Sequence, residues 1–229
     1  ADETYCGEGT YELYLQKPGL VTLWWDSLSA GSIIGFGNRF EQFISKDTAY
    51  YPQNISPISA GEVGILTPTQ FVYADAARGL KFNASTDIII DSISVLANTP
   101  LTFRVVLTDN EGNILLGKDL EVTEGGDAKT SLHLGFPVLA GNAYTLVCEN
   151  ISGGKLQIVN SGVSYPYSLD GVVSITNASN NLSSIYYYLF DWKVSTIPSF
   201  CVSNREEVQT SVLPVPTFNL GADTTICGN

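Results

Sequence analysis

Apolar residues recur along this chain with a period of two, and no segment carries a convincing 3.6-residue period, so the sequence predicts strands throughout and little helix. In the first 56 residues the strand candidates are Tyr11 to Leu15, Val21 to Trp25, Arg39 to Ile44 and Thr48 to Pro52, separated by Gly, Ser and Asp turns. Four strands make an incomplete sandwich. From about residue 60 the alternation is cleaner. Phe103, Val105 and Leu107 share one face, as do Ile114, Leu116 and Leu120, then Leu132, Leu134 and Phe136, then Tyr144, Leu146 and Cys148; each set is expected to point inward. Between Asp87 and Val95 the phase switches, with Ile88 and Ile90 on even positions but Ile93 and Val95 on odd ones. An extra residue near Asp91-Ser92 is required, which a β-bulge supplies. The last alternating run puts Tyr186, Tyr188, Phe190, Trp192 and Val194 on one face and Tyr187, Leu189, Asp191 and Lys193 on the other. About nine strands result, enough for a jelly-roll-like sandwich. Arg205 to Leu213 then reads as one further strand, the one that the first sandwich lacks.

The two ends of the chain resemble each other. It opens Ala1-Asp2-Glu3-Thr4-Tyr5-Cys6-Gly7 and closes Ala222-Asp223-Thr224-Thr225-Ile226-Cys227-Gly228, identical at five positions of seven. Before the second copy, Leu213-Pro214-Val215-Pro216 reads as a strand running into a stiff linker, because Pro fixes φ and removes a ladder donor. These features predict one sandwich inserted into another: residues 1–56 and 199–216 form the host, 57–198 the insert, and 217–229 a linker with the start of a next repeat. Exposed hairpin tips tolerate such insertions when the insert's ends lie close together.

Composition narrows the setting. Only 15% of residues are charged, against about a quarter in ordinary domains. Eleven Lys and Arg stand against 23 Asp and Glu, and a net charge of -12 repels phosphate backbones, so nucleic acid is not an expected partner. No apolar run is long enough to span a bilayer, so a membrane-spanning segment is not expected. The absence of Met leads to the expectation of a mature or excised piece of a longer protein. Four cysteines, at 6, 148, 201 and 227, lack the short paired spacings of a zinc site, and in an oxidising compartment some should pair.

Candidate chemistry is sparse. His133 lies on the outward phase between Leu132 and Leu134, with no second His to complete a metal site, and reads as a surface position. Asp170 and Asp191 could in principle serve as a glycosidase pair, but read better as a turn Asp before Gly171 and a solvent-face Asp. Thr108-Asp109-Asn110-Glu111-Gly112-Asn113 carries calcium-type oxygens, yet reads better as a hairpin turn. Trp24 and Trp192 belong to core faces. Tyr165-Pro166-Tyr167 sits in a Ser/Gly/Pro segment and either anchors its loop or offers two rings for stacking on a sugar or partner protein; Tyr165 and Tyr167 are the ligand-binding candidates. No cofactor, metal or catalytic residue is expected.

Residues 6 to 52, with CGEGTYELYL, VTLWWDS, a Gly-rich turn, GNRF and KDTAYYPQN, resemble the immunoglobulin-like modules repeated in surface proteins of Bacteroidetes. CVSNREEVQTSVLPVP at 201–216 resembles the closing strand of that module. Residues 60–195, through RGLKFNASTDIIIDSISVLA, SGVSYPY and YYYLFDWKV, resemble a β-sandwich domain of the same kind of multidomain protein. The resemblance implies an all-β chain, an immunoglobulin-like sandwich with a jelly-roll-like sandwich inserted between its last two strands. It implies export by the type IX system, an extracellular or cell-surface location, and a non-enzymatic role in attachment or display. It also implies a Cys6–Cys201 disulfide, while Cys148, on the inward phase with Tyr144 and Leu146, is expected to be a buried thiol. Expected partners are neighbouring repeats and an extracellular glycan or surface protein of another cell. The alternative is a carbohydrate-binding accessory module of a secreted polysaccharide-degrading enzyme.

Overall fold

The computed structural model describes residues 2–15, 21–68, 72–199 and 202–216. The chain begins with β1 (Glu3–Cys6), β2 (Gly9–Tyr14), β3 (Val21–Trp25), β4 (Ile33–Phe36), β5 (Arg39–Ile44) and β6 (Thr48–Ile55). It continues through β7 (Ile58–Val63), β8 (Val72–Ala74), β9 (Arg78–Ala84), β10 (Ile88–Leu96), β11 (Leu101–Thr108), β12 (Ile114–Val122) and β13 (Lys129–Val138). The remainder is β14 (Gly141–Ser152), β15 (Leu156–Val159), β16 (Tyr167–Leu169), β17 (Val173–Ala178), β18 (Tyr186–Tyr187), β19 (Phe190–Thr196) and β20 (Val208–Leu213). The protein is all-β.

The host sheet runs in the order β1-β20-β6-β3-β4, and β2 pairs with β5 as a second, two-stranded sheet. Leu13, Trp24, Phe40, Ile44 and Tyr50 form the core between them. Trp24 stacks on Phe40 at 5.2 Å and donates its Nε1–H to the Gly37 carbonyl at 2.9 Å, which satisfies the indole's polar edge inside the core. β20 lies antiparallel to β6, with Val208 opposite Tyr50, and parallel to β1, with Thr210 opposite Glu3. A strand from the far end of the chain therefore completes the first sheet.

Between β6 and β20 the chain builds a four-stranded sheet, β13-β10-β19-β7, facing a six-stranded one, β12-β11-β14-β9-β17-β16. A three-stranded sheet, β18-β15-β8, joins β10 through the Ala97–Leu156 bridge, at the end of β10 remote from Ile88. Phe103, Val105, Leu107, Leu134, Phe136, Leu146 and Cys148 are all buried in the common core, as the alternation predicts. The register of β10 slips against both β13 and β19 between Ile90 and Ser92, where the phase switch requires a bulge.

Two readings of the pattern are corrected. Ile114 does not point inward; it is 63% exposed. β12 carries an extra residue against β11, with Leu116 opposite Leu107 but Ile114 opposite Thr108, so Ile114 takes the outer face of Thr108. The run from Tyr186 to Val194 is not one strand with an inner and an outer face. β18 and β19 belong to different sheets, Tyr188 and Asp191 have φ of 51° and 47°, and every residue from Tyr186 to Trp192 is buried. The segment crosses from one sheet to another through the interior, where both flanks are covered and alternation loses its meaning. Asp191 is accordingly not on a solvent face: its carboxylate meets Lys129 Nζ at 2.5 Å and accepts from Ser94 Oγ at 3.3 Å.

The two sandwiches meet over a small core of their own. Ile89 and Ile197, on the outer face of the four-stranded sheet, pack with Leu23, Trp25 and Ile55 of the host. Ile88 and Ile90 point into the insert's own core, so the run Ile88-Ile89-Ile90 is buried on both faces. Arg205 seals this side, its guanidinium 3.5 Å from the Trp25 ring centroid and donating to the Ser27 carbonyl at 2.8 Å.

Ile89→Ala is expected to destabilise the protein by about 2–4 kcal/mol, because it opens a cavity between the sandwiches, whereas Ile114→Ala should stay within about 0.5 kcal/mol. Urea denaturation of both variants checks this; equal midpoints would mean that the shared core contributes nothing.

Candidate functional site

The Tyr165–Tyr167 segment is tied into the insert's core. Tyr165 donates its hydroxyl to the Ile185 carbonyl at 2.8 Å and lies parallel to buried Tyr186 at 6.0 Å; Tyr167 meets Tyr186 edge-on at 5.3 Å. Tyr167 Oη accepts the Ser164 N–H at 3.1 Å. Burial, with the neighbouring tyrosines Tyr167 and Tyr187, pushes the Tyr165 phenol far above its ordinary range. Both rings are half-buried, and Tyr186 covers one face of Tyr165, so this is anchoring geometry. Tyr167 also borders a cleft of ≈ 400 Å³ with Ile65, Thr67, Pro68, Val159, Ser161 and Gly162.

Of the expected Cys6–Cys201 pair, Cys201 lies outside the described residues, and Cys6 is a free, exposed thiol on β1. The second heptapeptide, with Cys227, lies outside them too. Cys148 is a buried free thiol, as expected, and burial raises its pKa well above the usual thiol value. The loop at Asp109 is a turn: its carboxylate accepts from the N–H groups of Glu111 and Asn113, each at 2.9 Å, and from the Asn113 side-chain amide. Those bonds, the Asn113 amide foremost, hold the Asp109 carboxyl below the usual range. Among the described residues no three His, Cys, Asp or Glu side chains come together as a metal set.

The most chemically varied cleft lies at the junction of the two sandwiches. The host supplies Val21, Phe36, Gly37 and Asn38, Pro57 lies in the link between β6 and β7, and the outer face of the four-stranded sheet supplies Ile89, Asp91, His133 and Gly135, around ≈ 290 Å³. Local structure explains each position. Asp91 occupies the register slip of β10, which has one residue more than β19 there and one fewer than β13, and the slip takes it off the regular ladder, where Ser195 Oγ donates to its Oδ2 at 2.7 Å. Neighbouring Ser92 faces His133 across the β10–β13 ladder. Asn38 lies in the β4–β5 turn, and its Oδ1 accepts from Thr22 Oγ at 3.1 Å. Phe36, at the end of β4, contacts Phe136 edge-on at 5.9 Å.

Gly135 lets the His133 and Phe36 rings approach the β13 backbone closely. With φ of +70°, it takes a conformation that disfavours a side chain, and a Cβ there would stand 3.1 Å from His133 Nε2 and 3.2 Å from Phe36 Cε2. Burial raises the Asp91 carboxyl above the ordinary carboxylate range, against the opposing pull of the Ser195 hydrogen bond and the His133 imidazole. The cleft thus combines an oriented acceptor, an imidazole, an amide and an aromatic ring over an apolar floor. Larger hollows carry less: the one of ≈ 440 Å³ beside Arg104 lies on an open sheet face where Arg104 is already paired with Asp119 at 3.0 Å.

No family model matches this sequence, and no curated protein matches it significantly. The sequence reading did not single out Phe36, Asn38 and Asp91; His133 is exposed as expected, and docking of the host places it beside them. The available signals were the bulge at Asp91-Ser92 and a glycine inside the β13 run, since bulges and strand glycines both mark places where a side chain is re-aimed or space is kept.

Two outcomes follow. The folded pKa of Asp91 lies above its unfolded value, so the stability it contributes is present below the unfolded range and lost as pH rises through the folded value. Asp91→Asn should therefore raise thermal stability at pH 7 modestly, by about 0.5 kcal/mol, and lose that advantage at acid pH; a variant less stable at neutral pH would show that the carboxylate is needed for its hydrogen bond. In native-state alkylation, Cys6 should react readily and Cys148 only as fast as the core opens. A Cys6 that reacts only after reduction would instead place it in a disulfide, and peptide mapping without reduction would show whether Cys201 is the partner.

Proposed function

We propose that the chain is a non-enzymatic display and attachment module of a large secreted or cell-surface repeat protein. The observation that carries this is the parallel pairing of β1 with β20: chain arriving at Glu3 and chain leaving after Leu213 travel the same way along one sheet edge. Gly7 N–H donates to the Leu213 carbonyl at 2.8 Å, which holds the two together where the linker begins. A unit of this kind propagates a chain in one direction, whereas antiparallel terminal strands would fold it back. The duplicated heptapeptide at residues 1–7 and 222–228 supports successive units joined through the Pro-containing linker. The inserted sandwich, carried between β6 and β20, stands to the side of that line, free to meet a partner.

The low charge content and the resemblance to Bacteroidetes surface modules support an extracellular setting reached through type IX export. No helix among the described residues is long and apolar enough to cross a membrane. The second reading, a carbohydrate-binding accessory module, is favoured by one feature, the mixed polar and aromatic cleft at the junction.

A chain carrying two copies of residues 1–216 joined through 217–221 is expected to scatter X-rays as an extended particle, with a maximum dimension close to twice that of one copy. A compact side-by-side profile would remove the in-line arrangement and with it the display reading.

A further inference from the structure

The geometry points to the junction cleft as a saccharide-binding site that takes a single terminal sugar ring, with Phe36 stacking on the ring's C–H face and Asp91, His133 and Asn38 bonding its hydroxyls. This assignment rests on the attachment function proposed above and gives it a ligand.

Three observations carry it. The first is chemical composition. A pyranose has an apolar face and a rim of hydroxyls that both donate and accept, and it is recognised by an aromatic ring set beside planar polar groups. Phe36 with Val21, Pro57 and Ile89 forms the apolar wall, and a carboxylate, an imidazole and a carboxamide stand around it. The second is preorganisation. Asp91 is fixed by the Ser195 hydroxyl and Asn38 by the Thr22 hydroxyl, so neither has to be ordered when a ligand arrives. The third is close approach. A Cβ at position 135 would crowd both the His133 and Phe36 rings, so a bare glycine is what lets the imidazole and the aromatic ring stand side by side at the cleft.

Size and charge select among ligands. A volume of ≈ 290 Å³ lies at the small end of ligand pockets, ~300–1,000 Å³, and suits one sugar ring better than a chain. The net charge of -12 disfavours anions. A neutral polyol needs no counter-charge. Because the walls come from both sandwiches, the site exists only while they are docked through Ile89 and Ile197.

The test is a printed array of terminal hexoses, deoxyhexoses and N-acetylhexosamines probed with the labelled full chain, followed by calorimetry of any sugar that binds. His133→Ala, at an exposed position, leaves folding intact and is expected to weaken binding at least fivefold; Asp91→Asn should weaken it about tenfold, by replacing a charge-assisted hydrogen bond with a neutral one. Gly135→Val should abolish binding, with circular dichroism confirming the fold. Tyr167→Ala should leave it unchanged. Binding that ignores both His133→Ala and Asp91→Asn, or that is lost in Tyr167→Ala alone, overturns the assignment. So does an array on which nothing binds; if the two-copy chain is nonetheless extended and adheres to cells, the display function stands and only the sugar site falls.

Discussion

The burial of one sheet on both of its faces governs the rest of this molecule. Strands β13, β10, β19 and β7 cover the insert's own core with their inner face, while Ile89 and Ile197 on the outer face pack against Leu23, Trp25 and Ile55 of the host. Apolar area removed from water is worth roughly 25 cal/mol per Å², so large aliphatic and aromatic side chains meeting there hold the two sandwiches in one relative placement. Without that contact nothing would fix the relative placement of the two units, and their residues could not converge in one cleft.

The placement has a chemical consequence along the seam. Asp91 and His133 lie on the sheet face that docks against the host, just beyond the apolar patch, and Phe36 and Asn38 approach from the other side. Neither unit holds the full constellation. The bulge that re-aims Asp91 lies directly after the Ile88-Ile89-Ile90 run, so one short stretch of β10 supplies the inner core, the docking contact and the polar group of the cleft in succession. At the opposite end of β10 the polar groups serve packing: buried Asp191 meets Ser94 and the solvent-exposed Lys129 where the chain crosses between sheets. Losing Lys129 would strand the buried carboxylate.

The aromatic cluster of Tyr165, Tyr167, Tyr186 and Phe190 has the same structural character. It gives the loop after β15 a fixed course without regular ladder bonds, and the hydroxyls of Tyr165 and Tyr186 end on the main-chain carbonyls of Ile185 and Leu189. An aromatic residue in a loop is no sign by itself of a stacking platform, because a ring also serves to hold the loop down.

Strand identity, the β10 bulge, the closure of the first sheet by a C-terminal strand and the buried state of Cys148 were legible in the sequence, because each depends on local alternation or on a missing partner that the chain must supply. Ile114, Asp191 and the junction cleft were not. The phase of Ile114 depends on an extra residue in β12 set by register with β11. Asp191 is buried because its segment passes between sheets, where both sides are enclosed. Phe36, Asn38, Asp91 and His133 meet because two separately patterned sandwiches dock, and alternation within a strand says which residues leave one core without saying what waits on the other side.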